Sequence, residues 1–318
     1  MKYRIIAITI LFTILFYSCE EESITLESFP TTAGNVEAIN TSFNEYNETI
    51  GGFLYDDISF IYSSDENSEG DNLDFKNIYL SFQNTSNALS FYIKEDGFTY
   101  FDSALTNINT SNMESDAYLA YNNYHTSDVF VFTSNQIDNS DIFYSIGNYD
   151  NKTWSDPVNL EKINTDNNEA DFNAYNNGVV FTSDESGNYD IYKIDVDITQ
   201  TFKEWLELDE DVVKEGFDIL NSDFDDICPH VNGNYIFFAS NREGGYGGYD
   251  LYYSHYENGA WKEPVNFGAN INTEYDEINP KTIYYSNFDN DLMFFSSNRT
   301  GGKGGFDIYY VGIPSIIY

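Results

Sequence analysis

Hydrophobic residues in this chain fall into short runs rich in β-branched and aromatic residues. Five runs end on serine: Phe237-Phe238-Ala239-Ser240, Phe294-Phe295-Ser296-Ser297, Phe181-Thr182-Ser183, Phe132-Thr133-Ser134 and Ile61-Tyr62-Ser63-Ser64. A polar turn follows each, and a second apolar stretch resumes from a polar residue: Asp250-Leu251-Tyr252-Tyr253, Asp307-Ile308-Tyr309-Tyr310, Asp190-Ile191-Tyr192, Asp141-Ile142-Phe143 and Asn77-Ile78-Tyr79. Paired apolar runs around a Gly/Asn/Asp turn predict β-hairpins.

A polar phrase precedes each hairpin. Ile39-Asn40-Thr41 leads to Glu45, Ile108-Asn109-Thr110 to Glu114, Ile163-Asn164-Thr165 to Glu169, and Ile271-Asn272-Thr273 to Glu277; Leu220-Asn221-Ser222 with Asp226 is a degraded copy. The copies start 51 to 69 residues apart, a period that signals propellers or arrays. Trp154-Ser155-Asp156-Pro157-Val158-Asn159 matches Trp261-Lys262-Glu263-Pro264-Val265-Asn266, and Phe98 ahead of Ala104-Leu105 holds the same slot. Each unit thus predicts four short strands. The fourth contains proline, which cannot donate to a ladder, and so belongs at a sheet edge. The expectation is an all-β propeller of five four-stranded blades, with six as the alternative.

These phrases resemble the WD40-like propeller repeat of the Tol-B type (PD40), above all as it occurs in envelope lipoproteins of Bacteroidota. The resemblance spans nearly the whole mature chain, strongly over 104–311. It departs from that family in two ways: many relatives carry a peptidoglycan-binding domain after the propeller, and the Tol-B propeller usually has six blades. The resemblance implies an interaction scaffold of the outer membrane.

The last unit lacks a Trp-Pro-Val-Asn strand, while Asn35-Val36-Glu37-Ala38 stands ahead of the first phrase with no unit of its own. Segment 31–38 is therefore expected to complete the final blade and remove an open edge. Ahead of it, Lys2 and Arg4 followed by apolar Ile5 to Tyr17 read as a leader too short to span a membrane. Ser18-Cys19 resembles a lipoprotein box, so residues 1–18 read as signal peptide, Cys19 as the lipidated residue, 19–30 as an acidic tether and 31–318 as one domain. Glu20-Glu21-Glu22 resembles a surface-export tag, favouring the surface over the periplasmic side of the outer membrane.

Charge narrows the partners. Fifty-three acidic residues against 14 basic ones leave a formal net charge of −39, which repels nucleic acid and anionic membrane and attracts cations or basic partners. The membrane contact expected is the lipid anchor alone, and the domain is expected to be monomeric. Cys228 is the second of two cysteines, so with Cys19 lipidated no disulfide within the chain is expected; it reads as a small buried apolar residue.

Catalytic chemistry is sparse in this pattern. The three histidines, His125, His230 and His255, occupy no common repeat position. Cys228 and His230, two apart on one strand, share a face for packing reasons alone. No Gly-x-Ser-x-Gly, His-Glu-x-x-His or P-loop phrase occurs. The glycines of Gly244–Gly248 and Gly301–Gly305 lead into strands and read as hairpin turns. Their neighbours Ser240, Asn241, Arg242, Asp250, Ser297, Asn298, Arg299 and Asp307 read as turn-bracing residues, with the two arginines pairing local carboxylates or facing a partner.

The remaining constellation is a set of acids at one repeat position: Glu45, Glu114, Glu169, Asp226 and Glu277. Facing inward, they would line a channel mouth and take a basic peptide or a hard cation such as calcium, although no cofactor is required. Alternatively each caps its own turn or bonds a neighbouring blade. The reading that follows is a non-catalytic, lipid-anchored propeller that binds another envelope protein, peptide or glycan. The rival is a five-bladed glycoside hydrolase using channel-mouth carboxylates, since that reaction needs two carboxyl groups at a defined separation.

Overall fold

The computed structural model describes residues 26–315 other than 55–56, 86–87, 95–98, 121–127, 138, 149, 176–177 and 197–200. The leader, Cys19, Glu20–Glu22, Phe98 and His125 lie outside the described residues. Five antiparallel sheets form five blades. The first comprises Glu45–Leu54, Asp57–Ser64, Asp74–Thr85 and Ala88–Lys94, and the second Glu114–Ala120, Asp128–Ile137, Asn139–Asn148 and Val158–Asn159. The third comprises Glu169–Tyr175, Gly178–Ser183, Asp190–Asp195 and Glu215–Gly216, and the fourth Asp226–Asn232, Tyr235–Ser240, Asp250–Glu257 and Val265–Asn266. The fifth takes Glu277–Ile283, Asn290–Ser297 and Asp307–Pro314, and its outer strand is Gly34–Asn35 from the other end of the chain. Gly34 pairs Tyr310 and Asn35 pairs Tyr309, so the ring closes as expected.

The second strand of each blade reads as an unbroken apolar run because both its faces are buried. In the fourth blade Phe237 faces the fifth and Phe238 faces the third, the two side chains belonging to separate core clusters. Five such clusters fill the five blade interfaces. Period-2 alternation thus divides one strand between two cores.

The Asn of each repeated phrase stitches the turn to the preceding blade. Asn272 accepts from Leu251 N at 2.8 Å and donates to Leu251 O at 3.0 Å. Asn40 does the same to Ile308 at 2.9 and 2.8 Å, as do Asn109 to Phe75, Asn164 to Ile142 and Asn221 to Ile191. A carboxamide here imitates the next strand of the sheet.

Two details differ from the sequence reading. The third strand of the first blade begins at Asp74, which pairs Ser64, and not at Asn77; Asn109 bonding to Phe75 sets that register. Its fourth strand is Ala88–Lys94, and Ala104-Leu105 lies in a helix, Thr99–Ile108, packed against the first and second blades. Pro157 and Pro264 sit just ahead of the outer strands Val158–Asn159 and Val265–Asn266, where the missing N–H costs no ladder bond.

Candidate active site

The acids that begin the innermost strands turn away from the axis. Glu45, Glu114, Glu169, Asp226 and Glu277 are all fully buried. Glu169 accepts Thr165 N and Thr165 Oγ1 at 2.8 Å each, and Ser183 Oγ at 2.8 Å. Glu45 and Glu114 repeat this with Thr41 and Thr110, Asp226 with Ser222, and Glu277 with Thr273. Each carboxylate thus closes its own turn, and no open ring of acids faces the channel. Burial raises the pKa of Glu45, Glu114 and Glu169, opposed by those same hydrogen bonds.

The two arginines join this scaffold. Arg242 Nη2 reaches Asp226 at 2.5 Å and Leu220 O at 2.5 Å, its guanidinium 4.9 Å from the Tyr252 ring centre. Arg299 Nη2 reaches Glu277 at 3.0 Å and Ile271 O at 2.8 Å, lying between Phe295 and Tyr309. Ser240 and Ser297 accept from the arginine backbone and Nε. Asp250 accepts Tyr246 N and Gly247 N, and Asp307 accepts Lys303 N and Gly304 N. Asn241 pairs Asp225, and Asn298 pairs Asp276.

What reaches the axis is the residue two places further on. Each innermost strand shifts register there, and Asp116, Asp171, Cys228 and Asn279 adopt φ of 57°, 57°, 55° and 54°. A bulge of this kind re-aims a side chain. The residues link blade to blade: Asp116 hydrogen-bonds Asp171, Cys228 N donates to Asp171 Oδ2 at 3.0 Å, and the Cys228 thiol meets Asn279 N. Asn279 Nδ2 lies 3.5 Å from Glu48 Oε2 on the first blade.

The side chains around this belt hold the acids firmly. Ser115 Oγ donates to Asp116 Oδ2 at 2.6 Å, and Thr182 Oγ1 to Asp171 Oδ2 at 2.7 Å. Burial, then the adjacent charge of Asp171, lifts the Asp116 carboxyl well above the usual carboxylate range. Asp116 therefore holds a proton at pH values where an isolated aspartate has lost it. Glu48, buried and bonded to Ser296 Oγ at 2.9 Å, is pushed up to about 7 by burial, and its Oε1 has no partner.

Above the belt, on the side where the innermost strands begin, opens a funnel of about 260 Å³. Asp116, Asp171 and Cys228 contribute to its lining, with Tyr46, Tyr189 and Tyr249 and apolar Leu73, Met113, Ile227 and Ile278. Tyr249 donates to Asp225 Oδ2 at 2.9 Å; burial raises all three phenols, Tyr189 to about 12. Burial, then Asp171 and Asp116, pushes the Cys228 thiol up, which removes it as a nucleophile. Below the belt a second cavity holds His230. The bulge breaks the alternation between Cys228 and His230, which therefore serve opposite ends of the channel.

The acids Asp116, Asp171 and Glu48 were missed in the sequence. The signal for the two aspartates was the position two after each repeated acid, polar in all five units as Asn47, Asp116, Asp171, Cys228 and Asn279.

No family model and no curated protein matches this chain. Solved structures that share its fold include the endo-arabinase of Bacteroides thetaiotaomicron, with 10% identity, a TM-score of 0.56, and coverage of 90% of this chain and 98% of that one. A thermostable family-43 glycoside hydrolase matches with 10% identity and a TM-score of 0.55, over 87% and 91% of the two chains. The α-L-arabinofuranosidase of Podospora anserina, in complex with cellotriose, matches with 11% identity and a TM-score of 0.50, over 90% and 96%. At such identities the likeness is one of fold. It corrects the resemblance to Tol-B-type WD40-like repeats, because the fold neighbours are five-bladed glycoside hydrolase propellers. The non-catalytic, protein-binding scaffold drawn from that resemblance falls with it, since the solved structures that share this fold are glycoside hydrolases.

Proposed function

We propose that this protein cleaves a glycosidic bond in the funnel at the propeller axis. The observation that carries the reading is the Asp116–Asp171 pair, two carboxyl side chains in contact on the floor of a tyrosine-walled pocket. Asp116 keeps its proton because it is buried and because Asp171 stands beside it, and it gives that proton to the leaving oxygen as the bond to the anomeric carbon breaks. The pair is closer than the roughly 5 to 9.5 Å by which catalytic carboxyls flank a sugar, so the two act as one acid unit. The second carboxyl is Glu48, whose pKa of about 7 suits the uptake of a proton from attacking water. Glu48 does not line the funnel and contacts Asn279 at 3.5 Å, so this role requires a rearrangement that opens it to the sugar. The lining carries phenols, apolar side chains and no cation among the described residues, which suits a neutral glycan.

Lipidation at Cys19 after export would hold this activity at the cell envelope, where polymeric glycans are met from outside. The test is release of reducing ends from a panel of neutral polysaccharides and aryl glycosides, by the parent and by Asp116→Asn. Release by the parent and its loss in the variant is the expected result. Turnover that survives Asp116→Asn, or no release from any member of the panel, defeats the reading.

A further inference from the structure

The channel has a second mouth that the reaction above does not use. Where the innermost strands end, a cavity of about 330 Å³ opens, its wall including Thr49, Tyr118, Asn173, His230 and Lys281. That volume suits a ligand of monosaccharide size. Lys281 stands out in a chain with 53 acidic and 14 basic residues. It enters none of the ion pairs among the described residues, although most lysines here have found a carboxylate or a carbonyl; its charge is felt by Glu48 and Asp116 on the belt without direct pairing.

His230 stands on the same wall. Its Nε2 accepts Thr282 N at 3.2 Å, so the ring proton sits on Nδ1. Nδ1 is buried and has no hydrogen-bond partner. Burial, then the charge of Lys281, lowers the His230 pKa well below its ordinary value, so the ring is neutral and Nδ1 is a fixed N–H donor. A buried donor without a partner is destabilising, and a ligand acceptor would relieve that cost. Asn173 is fixed by accepting Val231 N at 3.1 Å through Oδ1, and its Nδ2 is a third donor on the wall. One cation and two neutral donors match an acceptor with a single negative charge.

We propose that this lower cavity is a binding site for a carboxylate-bearing ligand of monosaccharide size, held by Lys281 Nζ and His230 Nδ1–H. A carboxylate fits better than a phosphate dianion. A second negative charge would meet no second cation, and Glu48, Asp116 and Asp171 lie on the belt above. The site is separate from the funnel and does not depend on glycoside cleavage there.

The experiment is titration calorimetry on the whole folded chain with D-glucuronate, D-glucose and inorganic phosphate, in the parent, Lys281→Met and Lys281→Arg. Thermal melting confirms that each variant is folded. Glucuronate should bind once per chain, glucose should give no saturable heat, and phosphate should bind more weakly. Lys281→Met should weaken glucuronate at least about tenfold, as loss of a charged hydrogen bond does, and Lys281→Arg should retain most of the affinity. Absence of saturable glucuronate binding overturns the proposal. So does equal binding of glucose, tighter binding of phosphate, or a folded Lys281→Met protein that binds like the parent.

Discussion

Asp116 and Asp171 project from equivalent bulges on neighbouring blades, and their carboxyls hydrogen-bond directly to one another. Fifty-five residues separate them in the chain. Burial and this contact keep Asp116 an acid at pH values where an isolated aspartate is ionised. Asp116→Asn replaces a neutral carboxyl with a neutral amide of the same shape. Its melting temperature should match or exceed that of the parent. Glycoside cleavage should fall by about two to four orders of magnitude, the usual worth of a general acid. A melting loss as large as the activity loss would mark Asp116 as structural.

Glu48 gives the protein a pH dependence of known sign. Its folded pKa is raised from 4.5 to about 7, so between those values the native state holds a proton that the unfolded chain has released. Stability is therefore full below the unfolded value, falls as pH rises through the folded one, and is level beyond it. The size is on the order of 3 kcal/mol. Asp116, also raised, slopes the same way. Glu48→Gln, which keeps a partner for Ser296, should flatten much of this slope in urea melts across that range; an unchanged slope would refute the assignment.

The repeated acids differ in what depends on them. Glu277 answers Arg299 as well as its own turn, whereas Glu169 has only hydroxyl and amide partners. Glu277→Gln leaves a mostly buried guanidinium unpaired and should cost roughly 3–5 kcal/mol. Glu169→Gln should cost about 1–3 kcal/mol. Because both oxygens of each acid are engaged, calcium should leave the parent's melting temperature where it is. A calcium-dependent rise, lost on substituting these acids, would restore the cation ring.

Closure rests on few residues. Gly34–Asn35 covers the edge of the fifth blade, Val36 N bonds Ile308 O at 2.9 Å, and Asn35 Nδ2 bonds Asp307 Oδ2 at 2.7 Å. Deleting residues 20–40 removes that strand together with the Asn40 stitch. The loss should be several kcal/mol, read as a lower midpoint in denaturant. A truncated protein that unfolds like the parent would show the strand to be dispensable.

The glycines of one hairpin do two different jobs. Gly301 sits at φ 93° in open space, while a Cβ on Gly304 would fall 1.6 Å from Phe43 O of the first blade. Gly301→Ala should cost about 1 kcal/mol of backbone strain. Gly304→Ala must push two blades apart and should cost more, on the order of 3 kcal/mol. Equal effects on chemical denaturation would contradict the close approach.

The amino-acid sequence by itself determined the period, the five blades and the strand that closes them. Those features are written locally: an Asn-Thr turn, an apolar run ending in serine and an Asp-led strand each carry their own hydrogen-bonding and packing preferences, and repetition multiplies the signal. The same phrases misled about function, because they describe how blades are built and stitched, a requirement that propellers of unlike activity share. Glu45 and its four equivalents stood out by recurring, and they recur because every turn needs the same cap. Only the tertiary structure decided what stands at the axis. A bulge reverses the strict alternation of a strand, so the direction of Asp116 or Asp171 cannot be counted off from its neighbours. Their contact exists only once blades distant in the chain have been packed radially through the five apolar interfaces, and no local preference encodes a meeting of that kind.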